Sequence, residues 1–406
     1  MGRLGYFLCF FRFIYPLSRM NTCIGVVSVF IALLVHCTFF SQAVFAQAGL
    51  LDSAFLAKKK LYTSLEEALK EPEKVYRLAL IDEQLTEVPS KIVDLPNLQY
   101  LDLSKNKLQT LPPEIGTLSN VQILRVQQNQ LEELPETLGQ LANLLEFTAN
   151  NNFIAALPPS VVQWKKLKRL NLQQNKLKVL PQEVGAWEAL EECNLSQNKL
   201  AELPKEFFYC FNITELHLAE NRLTTLSSDL VRLSKLQHLY CNSNKITELP
   251  VDIGSLLQLR TLHLGYNKLT TLPASIAGLK RLQVLHLEYN QLLILPTELG
   301  TILFLQELYI SGNKLEVFPQ LVLRMRSIKV LQLSGNTITD IPETINQCLN
   351  LQELHLARNR ITALPEGIRK LTNLRDLVIT GNPVVQNVKL IEAWCEAMSS
   401  TIITWK

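Results

Sequence analysis

Leu101-Asp102-Leu103-Ser104-Lys105-Asn106-Lys107-Leu108-Gln109-Thr110-Leu111-Pro112 is the stretch on which the fold of this chain turns. Its frame, Leu-x-Leu-x-x-Asn-x-Leu-x-x-Leu-Pro, returns every 23 residues without insertion or deletion. The asparagines of the frame are Asn106, Asn129, Asn152, Asn175, Asn198, Asn221, Asn244, Asn267, Asn290, Asn313, Asn336, Asn359 and Asn382, and Glu83 holds the same place in a degenerate first unit. A fixed period of this length marks an array in which no unit folds alone. The 406 residues would suggest two or three closed domains, but an array grows in one dimension and need not be divided.

The frame has a physical reading. Leu-x-Leu alternation has period two, so each unit contributes a short strand with leucines on one face. Stacked units then form a parallel sheet. An asparagine amide offers two donors and an acceptor, and at the bend after the strand it can satisfy backbone groups of its own and the neighbouring turn. Pro112 and its equivalents, with Ser227 the one substitution, set φ for a short helical turn. Ile115 and Leu118 return apolar side chains inward from that side. The array needs caps. Thr63-Ser64-Leu65-Glu66-Glu67 reads as a helix start with a capping box, Ser64 opposite Glu67, running to about Lys70. Val385–Met398 reads as a closing amphipathic helix and Thr401–Trp405 as a final strand. Four regions follow: 1–48, 49–74 (linker and N-terminal capping helix), 75–383 (about 14 repeats) and 384–406 (C-terminal cap).

These residues resemble the leucine-rich-repeat superfamily, specifically its 23-residue class with Leu-Pro-x-x-Ile-Gly, seen here as Leu111-Pro112-Pro113-Glu114-Ile115-Gly116. That class includes the plant intracellular Ras-group proteins, the animal Ras-pathway scaffold and many bacterial proteins. Tyr62–Lys70 followed by Pro72-Glu73-Lys74-Val75-Tyr76 resembles the entry cap of bacterial members. The resemblance covers residues 62–406 and implies an α/β repeat solenoid. Its form would be a curved horseshoe with a parallel β-sheet on the concave face and short helical turns on the convex face. Departures are Ala149 for a core leucine, Ser227 for proline, and no attached kinase, GTPase or ubiquitin-ligase domain.

Residues 1–48 hold three of the forty basic residues, Arg3, Arg12 and Arg19, and none of the 37 acidic ones, so the rest of the chain is balanced at 37 of each. A nucleic-acid binder needs a basic excess, and no nucleic-acid partner is expected. Between Arg19 and Asp52 no charged residue occurs, and the apolar run Ile24–Phe40 leads to Ala46-Gln47-Ala48. Basic flank, apolar core and small-residue end make a secretory signal peptide, cleaved after Ala48 or Ala46. An uncleaved signal anchor through residues 24–40 is the competing reading. Either sends the body out of the cytoplasm (periplasm, cell surface or secreted), with membrane contact only through this segment if uncleaved. Met20 is an alternative start. Of eight cysteines, Cys193, Cys210, Cys241 and Cys348 occupy leucine slots and Cys395 the closing cap, which reads as buried free thiols.

Residues four and six before each ladder asparagine project from the concave sheet face, and those one and two before it line the same edge. Five of the six histidines fall there, with four tyrosines in the same middle units. Aromatic side chains with polar neighbours are the usual anchors of protein interfaces. The candidate partner site is therefore His217, His238, Tyr240, His263, Tyr266, His286, Glu288, Tyr289, Glu307 and Tyr309. His263 and His286, in adjacent units beside Glu288, raise metal binding, but three converging ligands and a supporting shell are not evident, and no metal or other cofactor is expected. Protonation of the clustered histidines near pH 6 would weaken binding. No Gly-x-Ser-x-Gly elbow, phosphate-cradling loop or lid-forming insertion occurs, so a catalytic role is not expected. The sequence thus points to a monomeric, non-catalytic scaffold or receptor for a protein partner. The alternatives are a glycan or cell-wall polymer binder, or a Ras-scaffold-like adaptor if residues 1–48 do not direct export.

Overall fold

The computed structural model describes residues 49–406; the signal-peptide and signal-anchor readings lie outside the described residues. The chain forms two compact units that meet in sequence at Lys58. The described part of the first carries the short helix Ser53–Lys58, opened by Asp52, whose carboxylate accepts the amides of Ala54 and Phe55 at 2.9 Å. The second, Lys59–Lys406, is one sixteen-stranded parallel sheet in strict chain order. Among the described residues no helix is long and apolar enough to cross a membrane.

Neighbouring repeat strands pair with a register of one repeat length, as in Thr261↔Val284, Leu262↔Leu285 and His263↔His286. In the strands Thr261–His263, Val284–His286 and Glu307–Tyr309 the middle leucine is inside, and its two neighbours are half-exposed on the open face. Each unit returns through a 3₁₀ turn rather than an α-helical one. In Pro113–Thr117 the amide of Leu118 reaches only three residues back, to Ile115 O at 3.2 Å. Proline enters these turns with φ near −70°, −69° at Pro112. Where the proline is missing, the Ser227 hydroxyl accepts the Asp229 amide at 3.1 Å and starts the turn as an N-cap instead. The glycine after the isoleucine is a close-approach position: a Cβ on Gly254 would lie 1.9 Å from Ser275 O of the next turn.

Every ladder asparagine makes the same bonds. Asn244 Oδ1 accepts the Leu223 amide at 3.0 Å, while its Nδ2 donates to Leu218 O at 2.9 Å and Cys241 O at 3.1 Å. Each amide therefore ties two units together and stays buried. The residue before it lies in the left-handed region throughout, from Lys105 (φ 58°) to Gly381 (φ 73°). A second, sparser asparagine row runs along the opposite edge of the sheet, where Asn97, Asn120, Asn143, Asn212, Asn350 and Asn373 donate to carbonyls one unit back. The sequence reading had not identified it.

The caps differ in detail from expectation. Ser64 does cap, accepting the Glu67 amide at 3.4 Å, but the helix is only Leu65–Ala68 because Pro72 opens a 3₁₀ turn soon after. Ahead of it, Leu61–Tyr62 adds a strand to the sheet in what reads as linker from sequence. At the far end Asn387 caps at Leu390 N, so the helix is Val388–Ala397 after a 3₁₀ turn at Pro383–Gln386. The last strand is Ile402–Thr404.

Cys193, Cys210, Cys241 and Cys348 are free and buried, and Cys395 is free and half-buried. Burial raises the four thiols, Cys210 to about 12 and Cys348 to about 11. Cys210 and Cys348 do more than fill leucine slots. Their thiols donate to Val184 O at 3.4 Å and Val322 O at 3.7 Å. Trp164 and Trp187, in the same slot of earlier units, donate to Leu138 O and Val161 O.

Candidate functional site

Constant register dictates the site. Residues four before the ladder asparagine are directly paired across adjacent strands, giving the series His217, Tyr240, His263, His286, Tyr309. Parallel strands stand about 4.8 Å apart, close to the thickness of a stacked ring pair, so five flat side chains in one column must lie face to face. Centroids are 4.4 Å apart for His217–Tyr240, 4.9 Å for Tyr240–His263, 3.7 Å for His263–His286 and 4.1 Å for His286–Tyr309. Interplanar angles are 7°, 43°, 24° and 3°, so the tilt falls mainly at one step.

A shorter stack lies beside it, at the edge where the strands end. Tyr266 and Tyr289 are both 53 % exposed, with ring centroids 4.4 Å apart. Each has left-handed backbone (φ 58° and 53°), as the residue before every ladder asparagine does. Two glycines make room. A Cβ on Gly312 would lie 2.6 Å from the Tyr289 ring, and one on Gly265 would lie 2.4 Å from Glu288 Oε1. Neither glycine was singled out from sequence, although both stand one or two residues before a ladder asparagine.

The polar atoms at the ring edges are largely partnered. Glu288 Oε2 meets His286 Nδ1 at 3.3 Å, and the Tyr309 hydroxyl donates to Glu307 Oε2 at 2.8 Å. His217 Nε2 meets Glu215 at 2.7 Å. His238 stands apart from the stack. It lies two residues earlier on its strand, with Nδ1 3.1 Å from Thr261 Oγ1. The expected patch thus resolves into a five-ring column, a two-tyrosine stack, two flanking carboxylates and one separate histidine.

Burial, reinforced by neighbouring His286, pulls the His263 imidazole down from 6.5 to about 4. His263 is therefore neutral near pH 6, which corrects the expectation that the whole cluster charges there. Burial would raise Glu288, but the His286 hydrogen bond and the nearby imidazoles outweigh it and hold the carboxyl below its usual range. Burial, the hydrogen bond to Glu307 and nearby carboxylates push the Tyr309 hydroxyl up. Because the folded His263 binds its proton less readily than the unfolded chain, its site is unpenalised above pH 6.5 and loses stability as pH falls from 6.5 towards 4. The wild type should lose more of its urea midpoint between pH 7 and pH 4.5 than His263→Gln does; equal losses would refute this assignment.

Stacking also bears on metal binding. Imidazole lone pairs lie in the ring plane, so His263 and His286, stacked at 3.7 Å and 24°, aim them side by side rather than at a common point. Among the described residues no group of three or more His, Cys, Asp or Glu side chains converges as a metal site.

Towards the N-terminal end the same face carries a different cluster. Glu146 receives Arg125 on one oxygen (2.7 and 2.9 Å) and Arg169 on the other (2.8 and 3.2 Å), at the margin of a hollow of about 400 Å³ that extends to His217. The two arginines outweigh burial and hold Glu146 below the usual carboxylate range. Both are engaged by it, so the cluster closes on itself.

Models described as leucine-rich repeat match residues 73–131 and 188–246, with related ones at 221–314 (leucine-rich repeat region), 324–341 and 349–392. Among solved structures, a leucine-rich-repeat protein of Leptospira interrogans is 32% identical, with a TM-score of 0.75 over 85% of this chain and 100% of that one. A plant peptide hormone receptor, RGFR1, solved in complex with RGF2, is 28% identical with a TM-score of 0.63, over 75% of this chain and 59% of that one. An internalin of Listeria monocytogenes shares the fold at 20% identity, with a TM-score of 0.63 over 82% and 88%. No curated protein matches the chain.

Proposed function

Because this chain belongs to the leucine-rich-repeat superfamily, we propose that it is a non-catalytic binding protein that takes a protein or peptide partner on its concave face. The observation that carries this reading is the column His217–Tyr240–His263–His286–Tyr309, five rings in contact on the open face of the sheet. Pre-stacked rings surrender little side-chain freedom on binding, which favours affinity. The plant receptor solved with RGF2 supports a peptide or protein ligand for this architecture.

Stacking favours protein over glycan. A sugar packs against an open ring face, and here Tyr240, His263 and His286 each carry a neighbouring ring on both faces. What remains for a partner is ring edges, hydroxyls and ring nitrogens, beside Glu288 and Glu307. These suit amides and basic or hydroxyl side chains. The partner contact is centred on Tyr240, His263, Tyr266 and Tyr289, with His238 at its margin. The 23-residue class and export through residues 1–48 belong to this proposal, and place the partner outside the cytoplasm.

The test compares wild type with Tyr240→Ala and Tyr266→Ala as bait against envelope proteins, beside a retention assay on purified polysaccharide. An interface anchor of this kind contributes about 2 kcal/mol, so each variant should weaken capture of the partner roughly thirtyfold. A partner held equally by all three, or retention of polysaccharide alone, would overturn the reading.

A further inference from the structure

The turns that precede the strands in the C-terminal half, residues 257–260, 280–283, 303–306, 326–329, 349–352 and 372–375, occupy one edge of the sheet and contain no acidic residue. They carry Arg260, Lys280, Arg281, Arg326, Lys329 and Arg375, all exposed. None of the six forms an ion pair among the described residues; Arg281 and Lys329 reach only the neutral Gln258 and Gln306. In a body with equal numbers of acidic and basic side chains this is a local asymmetry. In the N-terminal half the matching turns mix the signs: 165–168 carries Lys165, Lys166 and Lys168, but 188–191 carries Glu188 and Glu191, and Lys168 pairs with Glu191 at 3.0 Å.

The same turns expose apolar side chains. Leu257 (56 %), Leu303 (60 %) and Leu349 (61 %) recur at every second repeat, with Lys280 and Arg326 at the identical position in between. Phe304, 61 % exposed, stands where the edge row elsewhere places an asparagine that closes a backbone carbonyl. At about 4.8 Å per unit the alternation covers about 19 Å. The carboxylates next in sequence, Glu307, Glu353 and Asp376, start the adjoining strands on the sheet face, where Glu307 takes the Tyr309 hydroxyl and Asp376 meets His355.

We propose that this edge docks on an anionic lipid bilayer, with Leu257, Leu303, Phe304 and Leu349 entering the headgroup boundary and the six cations pairing with lipid phosphates. Charge complementarity and exposed apolar tips at one edge are what interfacial binding needs. Exposed leucines favour a bilayer over a nucleic acid, whose phosphates would reward the cations but not the leucines. The strands run from this edge to the one bearing Tyr266 and Tyr289, so docking leaves the ring column open to its own partner. The inference does not rest on the concave-face reading.

The test is flotation of the full chain with vesicles of phosphatidylglycerol and phosphatidylethanolamine, against vesicles of phosphatidylcholine. Residues 1–48 are identical in every variant, so the readout is the anionic-over-neutral preference and its change on substitution. Each basic side chain near such a surface strengthens binding about fivefold, so Lys280→Glu with Arg281→Glu should lower the preference by at least about tenfold, and added salt should lower it in the wild type. Leu303→Ser with Phe304→Ser should weaken anionic-vesicle binding with the charge intact, whereas Tyr240→Ala should leave it unaltered. Circular dichroism checks that each variant is folded. Preference surviving the charge reversal overturns the proposal. So does binding indifferent to the Leu303 and Phe304 changes yet competed by duplex DNA, which would make the edge a general polyanion site.

Discussion

Asn244→Ala should lower the unfolding free energy of the repeat body by about 2–4 kcal/mol, although no large side chain is removed. The substitution orphans the Leu223 amide and takes from Leu218 O and Cys241 O one of two amide donors, leaving them those of Asn221 and Asn267, in a row where the asparagine is buried. A buried polar group left unpaired costs about 1–3 kcal/mol, and the two weakened carbonyl contacts add to it. Stability in an array is a series of nearest-neighbour terms, so the damage is local as well as large. Hydrogen exchange at the Leu223 amide should accelerate, and the urea transition should broaden or split as units on either side uncouple. Asn244→Asp keeps an acceptor for Leu223 but turns carboxylate oxygens towards two carbonyls, so it should not rescue. A loss under 1 kcal/mol would mean the row is not what joins the units.

Trp187→Ala should cost a comparable 3–5 kcal/mol, for a different reason. The ring is fully buried between units, 6.3 Å from Trp164 at 17°, and its Nε1 donates to Val161 O at 3.0 Å. Alanine leaves a cavity that a stacked array cannot collapse without shifting the next unit, and takes one of two donors from the Val161 carbonyl, which keeps the Trp164 amide at 3.0 Å. Trp187→Leu restores the commonest side chain in this slot, and should recover more than half of the loss. Urea denaturation of the three proteins decides it. Equal losses for alanine and leucine would put the effect in the Val161 hydrogen bond rather than in packing.

How far such effects could be foreseen from the chain differs by level. The ladder asparagines were legible because one residue type in one register has one use: an amide with two donors and an acceptor at a bend. The tryptophans, Cys210 and Cys348 were legible as fillers of leucine slots but not as donors, since that requires knowing which carbonyl of the preceding turn each one faces. The second asparagine row was missed because it is interrupted at Phe304 and elsewhere, and its residues resemble ordinary turn polarity. His238 was grouped with its neighbours by count, yet it sits one pleat away from the column that His217 and Tyr240 begin.

The periodicity by itself determined the parallel sheet, its face-by-face alternation and the columns into which His217, Tyr240, His263, His286 and Tyr309 fall. An unbroken 23-residue step leaves no other register. Only the tertiary structure decided that those rings touch and that His263 stays neutral near pH 6. It also decided that Tyr289 packs into space cleared at Gly312, and that six cations at one edge form no ion pair among the described residues. Register is a property of chain spacing, whereas ring contact, desolvation and local charge depend on what the neighbouring unit brings within a few ångströms.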